Sequence, residues 1–149
     1  MTDVRGFFGE HRWLSNFWPC LVVYKEVSFP SVEHAYVYAK SPKYIEENID
    51  KNEFCSLSAN EVKNFGRRVP LIPDFDAYKL RIMTTLIDSK FSTHNPMLVE
   101  KLLETKNAEL VEVNNWGDTF WGQNLKGYGH NHLGNIIVER RCALQKNLN

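Results

Sequence analysis

The chain has 149 residues, the common size for one domain, and 43% of them are hydrophobic, with nine Phe, six Tyr and four Trp that need a core or a pocket. Eighteen basic and eighteen acidic residues cancel, which excludes the net positive charge behind nonspecific binding to nucleic acid or anionic membrane and leaves only a local basic pocket for a phosphate. Cys20, Cys55 and Cys142 are scattered, odd in number and without a CxxC pair, a pattern that argues against a zinc site or a disulfide framework and fits a reducing cytosol.

The predicted elements begin with a short β-hairpin, in which Leu21 to Tyr24 and Val27 to Phe29 flank the polar pair Lys25-Glu26. Ser31 then serves as N-cap of a helix through Lys40, which Ser41-Pro42 stops. Tyr44 to Glu53 reads as one further helix. Ser58 and Glu61 have capping-box spacing and open a short helix that ends near Gly66. Pro73-Asp74 starts the longest helix, running to about His94, with Phe75, Tyr78, Ile82, Leu86 and Phe91 at helical spacing and Leu80, Met83 and Ile87 widening the buried stripe.

Asn95-Pro96 opens another helix through Lys106, with Leu98, Leu102 and Leu103 as its apolar face. Leu110 to Val113 reads as a short strand, and residues 114 to 131, rich in Trp, Gly and Asn, as an irregular loop. Leu133, Ile136, Ile137, Arg140 and Leu144 mark a final helix. The expectation is a mainly α fold of about six helices, with the hairpin and a few short strands, in one domain over residues 1–149. No repeat, low-complexity segment or Gly/Pro/Ser-rich linker offers a place to divide it. No signal-peptide run and no stretch of eighteen apolar residues occurs, so the chain reads as cytoplasmic, neither exported nor membrane-spanning.

Three stretches concentrate polar and aromatic groups where a plain core would use aliphatics. They are Phe7-Phe-Gly-Glu-His-Arg-Trp-Leu-Ser-Asn-Phe-Trp18, Phe29-Pro-Ser-Val-Glu-His-Ala-Tyr36 continuing to Lys40, and Trp116-Gly-Asp-Thr-Phe-Trp-Gly122 with Gly129-His-Asn-His-Leu-Gly134. In the second, Glu33, Tyr36 and Lys40 are spaced i, i+3 and i+7, which lines an acid, a phenol and an amine along one helix face. The plainer reading is that Glu33 supports the helix N-terminus and Lys40 is a solvated charge at its end. His130 and His132 invite a metal, but no third ligand has motif spacing, and no metal or cofactor is expected. His34 follows Glu33 directly and so points off its face toward a packed or hydrogen-bonded role.

The strings Phe8-Gly-Glu, Leu14-Ser-Asn-Phe17, Pro30-Ser-Val-Glu-His-Ala-Tyr36, Trp121-Gly and Asn131-His-Leu-Gly134 occur in the order of the signatures of the YbiA-like or NADAR family, which the chain resembles from residue 7 to 134. Gly66-Arg67, Asp74-Phe-Asp76 with Lys79 and Met83, and Lys90-Phe91 resemble the family's middle section. The chain departs from the pattern at Phe75, where Trp is expected, at Val37-Tyr38, and in the length of the loop 122–130. The resemblance implies a mainly helical fold and hydrolysis of N-glycosidic bonds. The implied substrates are aminopyrimidine ribose 5-phosphate intermediates of riboflavin synthesis or, alternatively, ADP-ribosylated guanine in nucleic acid. A third alternative is a module that binds ADP-ribose or a related nucleotide without turning it over.

Breaking a ribose carbon–nitrogen bond builds oxocarbenium charge on the sugar and negative charge on the departing base, so it needs a carboxylate and a proton donor. Glu33 is the expected principal carboxylate and Asp118 the second acid or a ribose-hydroxyl ligand, with the roles interchangeable. Lys40 is either a phosphate or ribose contact or an amine that attacks the opened sugar aldehyde as an imine-forming nucleophile. Phe8, Trp13, Phe17, Trp116 and Trp121 are candidates for stacking on the base. Asn16, Tyr36 and Asn131 are further substrate contacts, Gly9 and Gly122 allow close backbone approach, and Arg12 and Arg67 are the expected phosphate partners.

Overall fold

The computed structural model describes residues 2–148. In chain order its elements are β1 (Val4–Arg5), a 3-10 helix (Gly9–Leu14), β2 (Val22–Tyr24), β3 (Val27–Phe29), α1 (Val32–Lys40), α2 (Pro42–Asn48), α3 (Lys51–Ser56), α4 (Ala59–Gly66), α5 (Phe75–Lys90), α6 (Pro96–Glu104), β4 (Leu110–Val111) and α7 (His132–Lys146). The fold is mainly helical with few short strands, as the sequence predicts. Its residues group into two units: one is the continuous stretch Asn16–Lys90, and the other joins the residues up to Ser15 with those from Phe91 onward. Neither junction is a Gly- or Pro-rich linker, which is why no boundary is visible in the composition.

In the unit 16–90, β2 and β3 form the expected antiparallel hairpin, with Val22 opposite Phe29 and Tyr24 opposite Val27. Lys25 and Glu26 take positive φ of 48° and 68°, the two-residue turn whose twist matches the strands, here without a glycine. Helix α1 is the centre of this unit: Val32, Ala35, Val37 and Ala39 are essentially inaccessible, and α4, α5 and β2 all pack on it. The Val23 amide donates to Ser89 Oγ at 2.8 Å, tying the hairpin to the end of α5. The Ile72 amide donates to the Lys40 carbonyl at 2.8 Å, which satisfies one orphan acceptor at the end of α1.

Two expectations here are corrected. The single helix over Tyr44–Glu53 is two, because the Asp50 side chain accepts the Asn52 and Glu53 amides and caps α3 afresh. Helix α5 ends at Lys90, and Tyr78 and Leu80 are exposed, so its buried stripe is the narrower set of Phe75, Ile82, Met83, Leu86 and Ile87. The capping box at Ser58 and Glu61 is present in full.

In the other unit, β1 pairs in parallel with β4, Val4 opposite Leu110 and Arg5 opposite Val111. Strand β1 was not anticipated, since two residues carry no period. The expected strand 110–113 shortens to Leu110–Val111, with Val113 bridging separately to Gln123. Helix α7 packs on β4 and on α6, and buried Arg141 donates to Thr105 Oγ1 at 2.8 Å. Residues 114–131 are without helix or strand, as expected.

Candidate active site

In the unit 16–90 the site is built on α1. Ser31 caps it, its Oγ accepting the His34 amide at 3.1 Å. The His34 ring lies between Ser31 Oγ, 2.6 Å from Nδ1, and the Leu57 carbonyl, 2.8 Å from Nε2. A carbonyl only accepts, so Nε2 carries the proton and the Ser31 hydroxyl donates to Nδ1. Burial pushes the His34 pKa down, against the Leu57 hydrogen bond, and keeps the ring neutral. This lock sets the pitch of the first turn of α1 and hence the place of Glu33 beside it.

The amide of Glu33 itself donates to the Asn16 carbonyl at 3.0 Å, so the first and second motif stretches meet here. Asn16 Nδ2 lies 3.7 Å from Met83 Sδ, and its Oδ1 is buried without a hydrogen-bond partner. A buried acceptor left open costs free energy and is suited to a ligand's O–H or N–H. Tyr36 is buried edge-on against Phe75, ring centroids 5.6 Å apart. The Lys40 ammonium stands 5.3 Å from the Tyr36 ring centroid, so the amine and the phenol of the predicted face do share it.

Lys40 is half-buried. Burial lowers its pKa most strongly, the Glu33 carboxylate raises it, and the cations Lys63 and Arg67 lower it further. Glu33, Lys63 and Arg67 therefore all act electrostatically on Lys40. The sequence predicts Arg67 near a phosphate; Lys63 lies in none of the motif strings. Its only sequence signal is the i, i+4 spacing from Arg67. Phe17, 38% exposed, has the Lys63 ammonium 5.7 Å from its ring centroid, so one face of this stacking candidate neighbours a cation.

The other unit holds the remaining candidates. Phe8 is 64% exposed and its ring lies over Gly6, where a Cβ would come within 2.2 Å of it. Gly9 has a φ of +59° with open space beside it, and Arg12 is exposed. Trp116 is exposed and Trp121 half-buried. Asp118 Oδ1 accepts the amides of Phe120 at 3.2 Å and Trp121 at 2.9 Å, so this carboxylate fixes the turn that carries Trp121. His130 and His132 stack face to face, centroids 5.2 Å apart, with Phe120 4.5 Å from His132.

Three of the expected ligand contacts carry structural roles. Trp13 is 6% exposed and packs edge-on against Phe91. Asn131, in left-handed conformation, accepts the Glu112 amide at 2.9 Å and donates to the Leu110 carbonyl at 2.9 Å. A Cβ on Gly122 would stand 2.6 Å from the Glu112 carbonyl, and one on Gly134 2.0 Å from that of Leu110. The string Asn131-His-Leu-Gly134 thus seats α7 on β4. Motif membership does not separate a residue that holds the backbone from one that touches a ligand.

Among the described residues no group of three or more His, Cys, Asp or Glu side chains is placed to hold a metal ion, and no helix is long and apolar enough to cross a membrane. The NADAR domain model matches residues 6–145. The chain is 30% identical over 138 residues to a riboflavin biosynthesis protein of Vibrio vulnificus, covering 91% of this chain and 36% of that protein, so it spans about a third of that relative's length. It is 32% identical to N-glycosidase YbiA of Shigella sonnei, covering 87% of this chain and 79% of the other, and 32% identical to an N-glycosidase of Nostoc punctiforme, covering 85% and 81%. The NMR structure of Escherichia coli YbiA superposes with a TM-score of 0.78 at 27% identity, over 99% of this chain and 88% of that one. With its motif strings, its helical fold and nearly its whole length matched, the chain belongs to the NADAR domain family.

Proposed function

We propose that this chain is an N-glycosidase that hydrolyses the bond between a nitrogen base and a phosphorylated ribose, of the aminopyrimidine ribose 5-phosphate type. The observation that carries the reading is the grouping of a carboxylate, a half-buried amine and two further cations, Glu33, Lys40, Lys63 and Arg67, on and beside α1. The names of the relatives, N-glycosidase and riboflavin biosynthesis protein, support it.

In the direct route, Glu33 orients a water or stabilises the oxocarbenium ion as C1′–N cleaves. The water oxygen joins C1′, and its proton is passed on as the departing nitrogen gains one. Asp118 is the second acid on the strength of its motif, and the two carboxylates can exchange roles. In the alternative route the neutral Lys40 amine forms the C1′ imine on the opened sugar, the base leaves protonated, and water then releases the sugar. Lowering of the Lys40 pKa by burial and by neighbouring cations favours this second use of the amine. Asn16 Oδ1 accepts from a ribose hydroxyl or a base N–H.

The test is incubation of wild type and Glu33→Gln with an aminopyrimidine ribose 5-phosphate, and separately with an ADP-ribosylated guanine oligonucleotide, following free base, ribose 5-phosphate and ADP-ribose by mass spectrometry. Release from the first substrate by wild type, reduced about 100-fold or more in the variant, is the expected outcome. Turnover of the oligonucleotide alone would replace the substrate class, and an unimpaired variant would remove Glu33 from the mechanism. Borohydride added during turnover gives a permanent adduct on Lys40 only if the imine forms.

A further inference from the structure

Lys63 stands outside every motif string, yet the fold brings it to the candidate site. It is four residues before Arg67, so the two extend from one side of α4 and its C-cap. The residues of α4 turned inward are Val62 and Gly66, both buried. Gly66 is there because a Cβ would come 2.6 Å from Val37 Cγ2, and its absence lets the backbones of α1 and α4 close up. That approach brings Lys63 and Arg67 within electrostatic range of Lys40 at the end of α1.

The two cations are not held alike. Arg67 Nη1 donates to Asn64 Oδ1 at 3.2 Å, which fixes its guanidinium against the helix. The Lys63 ammonium stands 5.7 Å from the centroid of the Phe17 ring, a cation–π contact with a residue distant in the chain. Lys63 and Arg67 together place two positive charges one helical turn apart, an excess that repels itself until an anion arrives. A phosphate monoester carries about −1.5 to −2 at pH 7 and offers three acceptor oxygens, which matches that excess.

We infer that Lys63 and Arg67 form the seat of the substrate's phosphate dianion, and that Lys63 sets the preference for a phosphorylated over an unphosphorylated riboside. The identity of the phosphate's carrier rests on the N-glycosidase reading; the seat itself does not. Arg67 supplies the planar fork, and Lys63 the mobile point charge that follows the phosphate. Lys40 is then left to the sugar. The shared chemistry is a dianionic phosphate, carried either as a ribose 5-monoester or as the diphosphate of ADP-ribose, and the monoester is the occupant proposed.

The experiment measures binding and turnover separately. Binding of inorganic phosphate is followed by calorimetry at constant ionic strength for wild type, Lys63→Met, Lys63→Arg and Arg67→Gln, with thermal melts to confirm folding. Lys63→Met and Arg67→Gln are expected to weaken phosphate binding tenfold or more, and Lys63→Arg to retain most of it. Ribose 5-phosphate is expected to displace phosphate, and displacement by ADP-ribose alone would overturn the monoester assignment. In turnover, the ratio of kcat/KM for a riboside 5-phosphate to that for its dephosphorylated form is expected to fall at least tenfold in Lys63→Met, through KM. Phosphate binding by a folded Lys63→Met equal to wild type, or an unchanged ratio, sinks the proposal. Phosphate binding that depends on Lys63 without any glycosidase turnover would uphold the seat and overturn the N-glycosidase reading alone.

Discussion

Lys40 and Lys90 are both lysines withdrawn from water, with different consequences. Burial and two neighbouring cations push Lys40 toward the neutral amine while Glu33 holds it back, a balance suited to an amine that must give up its proton to react. Lys90, on the last turn of α5, is fully buried, and burial lowers its pKa to about 8, against a small opposing effect of the Cys20 thiol. A folded-state pKa below that of the unfolded chain means that the unfolded state binds more protons between the two values, so stability rises with pH there. Wild type is expected to gain on the order of 3 kcal/mol between about pH 8 and pH 10.5 from this one group. Chemical denaturation at pH 7.5 and pH 10 checks this. Lys90→Met should lose most of the gain, and a variant with the same pH dependence as wild type would show that other groups cause it.

At the scale of elements, the pairing of α1 with α4 decides whether a site exists in the unit 16–90. Gly66→Ala forces a Cβ against the branched side chain of Val37, which has little rotamer freedom to yield. The expected cost is about 1–3 kcal/mol of stability, read as a lowered Tm. Phosphate binding should weaken along with it, as α4 and its two cations move away from Lys40. Full stability in Gly66→Ala would mean that the two helices separate freely, and the close approach would lose its importance. The cap of α1 works in the same direction: Ser31 and His34 fix its first turn.

For the molecule as a whole, likeness to E. coli YbiA extends over 99% of the chain, so both units are part of what the relatives share. The unit built on β1, β4 and α7 contains Asp118, whose Oδ1 holds the Phe120–Trp121 turn through two amides. Asp118→Asn retains an acceptor oxygen for those amides but removes the charge. It is expected to keep the Tm of wild type and to lose about 100-fold or more in kcat, measured by base release. A variant that melts early points to a purely structural carboxylate, and one that is stable and fully active removes Asp118 from the chemistry.

Local chemistry is written in the sequence by itself. Ser31, Ser58 with Glu61, and Asn95-Pro96 announce helix starts; the alternation around Lys25-Glu26 announces a hairpin; and Glu33, Tyr36 and Lys40 share a face because helical spacing requires it. Each of these depends on residues a few positions apart. Tertiary structure decided what depends on distant ones. It joined Val4–Arg5 to Leu110–Val111, a pairing too short to show a period, and it gave Trp13, Asn131 and Gly122, expected as ligand contacts, packing and backbone-supporting roles that no motif string announces. It also brought Lys63 within electrostatic range of Lys40, because α4 packs on α1, closely where Gly66 meets Val37, and no spacing along the chain encodes that approach.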